Sequence, residues 1–219
     1  MKRVFLSFWL LLTLSMVAVV FNSCGKDDDI DIPPQTTNAN HDEGMIINGV
    51  KWATRNLNGP EKFASKPETS GMFYQWNRKT SWAITGDVTD WNISTPEGTK
   101  WEKANDPSLT GWRIPTLDEF KTLLDTTKVR SEWTTENEVN GRRFTDKATG
   151  NSIFLPATGF REYSVGMLSG VGFRGCYWSS TQSNAESACL LNFDSDKAEW
   201  SGLYYRKNGF NIRCVADDK

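Results

Sequence analysis

His41 is the sole histidine of this 219-residue chain, and it stands in an acidic, polar stretch. The rest of the chain lacks the imidazole on which most zinc sites, Ser-His-Asp triads and neutral-pH proton transfer depend. Cysteine is the next candidate for chemistry. Of Cys24, Cys176, Cys189 and Cys214, the last three lie in the body of the chain. In an oxidising compartment they are expected to form one bridge and leave one thiol over. Cys189 with Cys214 and Cys176 with Cys189 are both open pairings. Asp194-Ser195-Asp196 with Glu199 offers hard oxygens, but no glycine stands where a calcium loop needs its sharp turn. A solvated turn is expected there. No spacing of two acids marks a hydrolytic pair. No catalytic residue, metal ligand or cofactor is therefore expected, and the chain reads as a binder rather than an enzyme. What remains is aromatic. Trp200, Tyr204, Tyr205 and Arg206 crowd one late segment, and Arg161 and Tyr163 crowd another. Aromatic faces beside arginine suit sugar rings or protein hot spots, so these six residues are the expected ligand contacts. The competing reading is strand alternation, with one of Tyr204 and Tyr205 buried and the other exposed.

Composition bounds the partners. Ten tryptophans are too many aromatics for a disordered chain. The formal charge is −2, and the acidity concentrates in Asp27, Asp28, Asp29, Asp31, Asp42 and Glu43. A near-neutral body without a basic stripe argues against nucleic acid as a partner. Met1-Lys2-Arg3 precedes an uncharged run from Val4 to Phe21, and Asn22-Ser23-Cys24-Gly25 follows. A basic start, an apolar stretch and small residues at its end describe an export signal. The cysteine after that run resembles the lipobox of bacterial lipoproteins, which implies a lipid on Cys24 and cleavage just before it. Gly25-Lys26-Asp27-Asp28-Asp29 resembles the signal that sends such lipoproteins to the outer face of the outer membrane. The expected organisation is a signal peptide over 1–23, a lipidated acidic tether over 24–45 and a folded domain over 46–219. The membrane is then a partner through the N-terminal lipid. A flexible tether of that length reaches roughly 25 Å.

The elements that must position the aromatics are partly legible. Met45 to Trp52 reads as a hairpin, because Asn48-Gly49 supplies the two positive φ angles of a type I′ turn. Asn140-Gly141 carries the same signal between Glu138-Val139 and Arg142-Arg143-Phe144. Strands are expected at Phe73–Trp76, Ser152–Leu155, Cys176–Ser180, Ala188–Phe193 and Phe210–Val215. Thr116-Leu117-Asp118-Glu119 is a capping box after Pro115, and Leu117, Phe120, Leu123 and Leu124 then share one face, which predicts a helix over about 117–125. Residues 77–111 read as irregular structure pinned by Trp82, Trp91 and Trp101. The fold class expected from this pattern is α+β, with short antiparallel strands, few short helices and long loops.

Several segments resemble one family in its own order. They are Lys51-Trp52-Ala53-Thr54-Arg55-Asn56-Leu57, Gly111-Trp112-Arg113-Ile114-Pro115-Thr116 with Glu119-Phe120, and Phe154-Leu155-Pro156-Ala157 with Gly159-Phe160-Arg161. Tyr177-Trp178-Ser179-Ser180-Thr181 and Gly209-Phe210-Asn211-Ile212-Arg213-Cys214-Val215 complete the series. The chain resembles the Fibrobacter succinogenes major paralogous domain family over roughly residues 46–217. That resemblance implies a C-type-lectin-like fold, related to that of the formylglycine-generating enzymes. It also implies a cysteine shortly before Gly-Trp-Arg as partner for Cys214, and here Asn105 to Thr110 contains none. The calcium-binding triplets of lectins with that fold are missing, and Trp76-Asn77-Arg78 puts a cation where an acid is needed. Glu199 to Asn208 lacks the cysteines of the oxidases. Trp112 is expected under the helix, Trp178 in the core, and Arg213 in a structural ion pair. The expected function is a non-catalytic surface lipoprotein that binds a glycan or a surface protein. The alternative is a structural subunit of a surface complex or fimbria-like fibre, and the remote alternative a divergent oxidase of the formylglycine-generating kind.

Overall fold

The computed structural model describes residues 40–217. The expected signal peptide, the expected lipidation site Cys24 and most of the expected tether lie outside them. In chain order the strands are β1 (Met45–Ile47), β2 (Val50–Trp52), β3 (Phe73–Gln75), β4 (Ser81–Trp82), β5 (Trp112–Arg113), β6 (Val129–Glu136) and β7 (Val139–Asp146). They continue as β8 (Ser152–Pro156), β9 (Phe160–Arg161), β10 (Leu168–Ser169), β11 (Gly175–Gln182), β12 (Ser187–Phe193), β13 (Ala198–Tyr205), β14 (Gly209–Phe210) and β15 (Val215–Ala216). The one α-helix among the described residues is α1 (Leu117–Leu124). The expected α+β class, and the C-type-lectin-like arrangement with it, is therefore corrected to a β-rich fold. The hydrophobic pattern that suggested mixed structure is spent on antiparallel pairing, most of it in two three-stranded sheets, β6-β7-β8 and β11-β12-β13.

β12 organises the interior. All seven of its residues are buried. Ala188 and Leu190 face one hydrophobic cluster with Trp76, Trp178 and Phe210, while Leu191 and Phe193 face a second with Trp52, Phe120 and Phe144. A strand covered on both faces reads as a continuous apolar run, as Ala188 to Phe193 does. The first and last strands of the described residues share a third sheet, where β15 lies between β2 and β5. A fourth sheet, ordered β10-β9-β14-β3-β4, carries the late loops. Both clusters and all four sheets lie within the unit Thr36–Lys219, so this part of the chain holds a complete core of its own.

Local chemistry explains where sequence and structure agree. Asn48 and Gly49 take φ of 44° and 81° between β1 and β2. Thr116 accepts from the Glu119 amide, and the Glu119 carboxylate accepts from the Thr116 amide at 2.7 Å. Burial pushes the Glu119 carboxyl up, but the paired Arg113 guanidinium, at 2.6 and 2.8 Å, and the Thr116 donors outweigh it and hold the pKa below its ordinary value. Other expectations are corrected. The turn between β6 and β7 falls at Asn137-Glu138, with φ of 46° and 68°, and Asn140-Gly141 lies inside β7. Gly141 is there for a long-range reason: a Cβ would sit 2.5 Å from Cζ of Phe154 on β8. The single strand expected over Phe210–Val215 is split between β14 and β15, and Trp112 packs on Phe63 at 5.6 Å rather than under the helix. Trp178 is in the core as expected. Residues 41–44 are already fastened to the body, because the buried Asp42 carboxylate accepts from the Thr54 amide and from Arg55 Nε at 3.1 Å.

The expected disulfide does not form. Cys176, Cys189 and Cys214 are all free and buried. Burial pushes the Cys176 thiol up to about 12 and raises Cys189 and Cys214 as well. A thiolate-dependent oxidase would need accessible, ionisable sulfur. Cys214 Sγ instead lies 3.3 Å from Ser108 Oγ, in the stretch where the family resemblance implies a cysteine.

Two outcomes follow. Ser108→Cys, oxidised, is expected to lose two hydrogens in mass and to gain about 2–4 kcal/mol against denaturant, since the bridge closes a long loop. An unchanged mass would show that the two side chains do not meet. Glu119 has a lowered native pKa, so its stabilisation is complete above the ordinary value of 4.5 and is lost as pH falls through the native one. Glu119→Gln is expected to lower stability at neutral pH and to flatten its acid dependence below about pH 5, followed by thermal melts.

Candidate functional site

Two of the six expected ligand contacts are buried inside the molecule. Arg206 is 1% exposed. It follows β13, and its main chain is tied on both sides, N–H to Glu186 O at 2.9 Å and O to the Trp76 amide at 3.0 Å. Its guanidinium stacks 4.3 Å from the Trp76 ring centroid. The N–H groups donate to Gly98 O at 2.8 Å, Pro96 O at 3.2 Å, Gln182 Oε1 at 2.7 Å and Asn184 O. Arg161, on β9, is buried likewise and donates to Gly166 O at 2.7 Å and to Ala83 O. Burial lowers both guanidinium pKa values. Arg213 follows the same pattern rather than forming the expected ion pair. Its partners are Asn56 Oδ1 at 2.9 Å and the carbonyls of Ala53, Thr54 and Phe154. These arginines fasten loops from inside the fold.

The structure brings two of the remaining residues together. Tyr163 and Tyr205 are 44% and 42% exposed, and their rings meet edge to face at 5.0 Å. Lys207 Nζ stands 5.7 Å from the first ring and 5.9 Å from the second. Lys207 completes a small exposed platform of two aromatic rings and one cation. Lys207 was not among the expected contacts. Its only signal was adjacency to Tyr204-Tyr205-Arg206, since the contact with Tyr163 spans the fold. Val165 and Leu203 are exposed apolar side chains of the same two segments.

Rigid groups hold this platform from beneath. Gln75 on β3 donates to Lys207 O at 2.8 Å and to Asn92 O at 2.7 Å. Trp91 donates to Tyr163 O at 3.0 Å and packs on Trp82 at 4.6 Å. Gly166, at φ 70°, lets the Tyr163 loop close over that indole, where a Cβ would lie 2.7 Å from Trp91 Cε3. Arg161 holds Gly166 O from the other side.

Trp200 and Tyr204 lie elsewhere. Trp200 is 48% exposed on β13 with Lys121 of α1 at 5.8 Å from its ring. Tyr204 turns inward onto Phe210 at 5.5 Å, and burial raises its phenol pKa. The segment is a strand, as the competing reading has it, and alternation decides which tyrosine meets solvent. Asp194 closes a turn by accepting from the amides of Asp196 and Lys197 at 2.9 and 3.1 Å. Among the described residues no group of three His, Cys, Asp or Glu side chains is placed to hold a metal ion.

A family model described as the Lcl C-terminal domain matches residues 70–216, more than half of the chain. No curated protein and no solved structure matches it. The match spans the platform, the buried Arg161, Arg206 and Arg213, and every strand from β3 to β15.

Replacing a buried staple and replacing a platform ring are expected to differ sharply. Arg206→Met strands several interior carbonyls and is expected to cost on the order of 3 kcal/mol or more. Tyr205→Ala, at the surface, is expected to cost about 1 kcal/mol or less. Denaturant midpoints measure both, and equal losses would contradict the assignment of roles.

Proposed function

Because the chain belongs to the Lcl C-terminal domain family, we propose that it is a non-catalytic binding protein whose β-rich domain recognises a glycan or a surface protein through Tyr163, Tyr205 and Lys207. The observation that carries this reading is the exposed ring pair with a cation against both rings. Aromatic faces take the C–H face of a sugar or the apolar part of a protein side chain, and the ammonium supplies a donor to hydroxyls or acids. Pre-ordering by Gln75, Trp91 and Arg161 lowers the entropic cost of binding. In this reading Cys24 carries a lipid, the acidic tether stands the domain off the outer membrane, and the platform faces outward. No helix of the described residues is long and apolar enough to cross a membrane.

A second reading is an assembly subunit. It is favoured by exposed Val165, Met167, Val171 and Phe173, which all fall in the glycine-rich stretch after β9. Apolar side chains gathered in one segment suit a protein interface.

A glycan array probed with residues 36–219, with and without calcium, tests the first reading. Specific binding is expected to fall about tenfold or more in Tyr163→Ala and Tyr205→Ala and to survive Trp200→Ala. Binding that needs calcium, or that Trp200→Ala abolishes, would refute the platform as the site. A folded domain that binds no glycan and self-associates until Phe173→Asp is introduced would establish the assembly reading instead.

A further inference from the structure

A cavity of about 300 Å³ lies between the end of α1, the turn before β6, and the β7 and β13 strands. Its walls are of two kinds. Leu123, Leu124 and Val129 make an apolar side, and Ser131, Arg142 and Lys147 make a polar one. No acidic side chain lines it, although Asp194 and Asp196 stand near enough to favour the charged form of Arg142. Arg142 is 5% exposed. Its hydrogen bonds all go to neutral oxygens, Ser131 Oγ at 3.0 Å and the main-chain oxygens of Asp194 and Ser195 at 2.9 and 3.3 Å. Its Nε has no acceptor at all. Nε is itself shut off from solvent, so what lines the open cavity is a guanidinium with no carboxylate partner, whose charge an anion would complement. Lys147 adds a second cation, whose one hydrogen bond, at 2.6 Å, is again to a carbonyl, Thr126 O, and Arg130 lines the cavity as a third, 3.7 Å from Glu132.

We propose that this cavity is a binding site for a small carboxylate with a short apolar tail, separate from the aromatic platform. The carboxylate sits with Arg142 and Lys147, where planar two-oxygen recognition suits the guanidinium. The tail lies on Leu123, Leu124 and Val129. The volume is at the lower end of ligand cavities, which suits a short-chain acid and excludes an oligosaccharide.

The test is an amide-shift titration of ¹⁵N-labelled residues 36–219 with sodium hexanoate, hexan-1-ol and sodium sulfate. Hexanoate is expected to give saturable shifts at Ser131, Arg142, Lys147 and Ala198. Hexanol is expected to bind about tenfold more weakly, having lost the charge-assisted bonds. Lys147→Ala, at an exposed position that the fold tolerates, is expected to weaken hexanoate several-fold, and Arg142→Lys more. Tyr163→Ala is expected to change nothing, so failure here and failure of the platform are distinct. Equal binding of hexanoate and hexanol would reduce the site to an apolar crevice and overturn the proposal. Sulfate binding as well as hexanoate would show an adventitious ion only. An absence of saturable shifts would leave Arg142 as a staple for the β12–β13 turn with water in the cavity, and would also overturn it.

Discussion

The rest of the structure depends on buried guanidinium groups meeting main-chain carbonyl oxygens. Residues 83–111 form little regular structure, so most of their carbonyls have no ladder to join. Carbonyls left unpaired in the interior would each cost about 1–3 kcal/mol. Arg161 and Arg206 reach across the fold to take four of them, at Ala83, Gly86, Pro96 and Gly98. Arg213 does the same for Ala53, Thr54 and Phe154. A guanidinium suits this work because it presents five donors in a fixed plane, and a lysine ammonium does not. The charge is accepted by dipoles instead of a carboxylate, and burial lowers each pKa as the cost of that arrangement.

Indoles extend the same device. Trp76, Trp91, Trp101 and Trp178 each donate Nε1–H to a main-chain oxygen, at Ser179, Tyr163, Asn105 and Tyr74. The rings of Trp76, Trp101 and Trp178 fill one cluster, and the single N–H of each indole ties down a loop, as at Tyr163 and Asn105, or a strand, as at Ser179 and Tyr74. Part of the tryptophan in this chain is therefore a framework that ties loops and strands together. That framework lets two distant segments, the loop after β9 and the end of β13, present Tyr163 and Tyr205 in contact. Function, on this account, sits on the few aromatics that the framework leaves outside.

What could be read from the sequence was local. Asn48-Gly49 fixes a turn through its own φ angles, and Thr116 with Glu119 caps α1 through neighbouring amides. Asn140-Gly141 carries an equally good turn signal, yet Gly141 serves the ring of Phe154, a partner that no short window contains. The same blindness affected the site. Arginine beside tyrosine suggested recognition, but whether Arg206 faces water depends on Trp76 and on the strap at Pro96 to Gly98. Tyr204 and Tyr205 were resolved only by the register of β13 on β12, and Lys207 by its contact with Tyr163. The three cysteines were expected to bridge because of compartment, yet all three are free, with Cys176 and Cys214 packed as apolar side chains of one cluster. Overall class was missed for a related reason: one strong helix signal does not reveal how much of the remaining chain pairs as strand.

The most direct test of this account is hydrogen exchange at the Nε–H groups of Arg161, Arg206 and Arg213, read by ¹⁵N NMR. If the guanidinium groups are fixed on carbonyls inside the fold, these protons exchange slowly, as the amides of β12 do. Exchange at the rate of a free arginine side chain would contradict it, and would return Arg161 and Arg206 to the surface as ligand contacts.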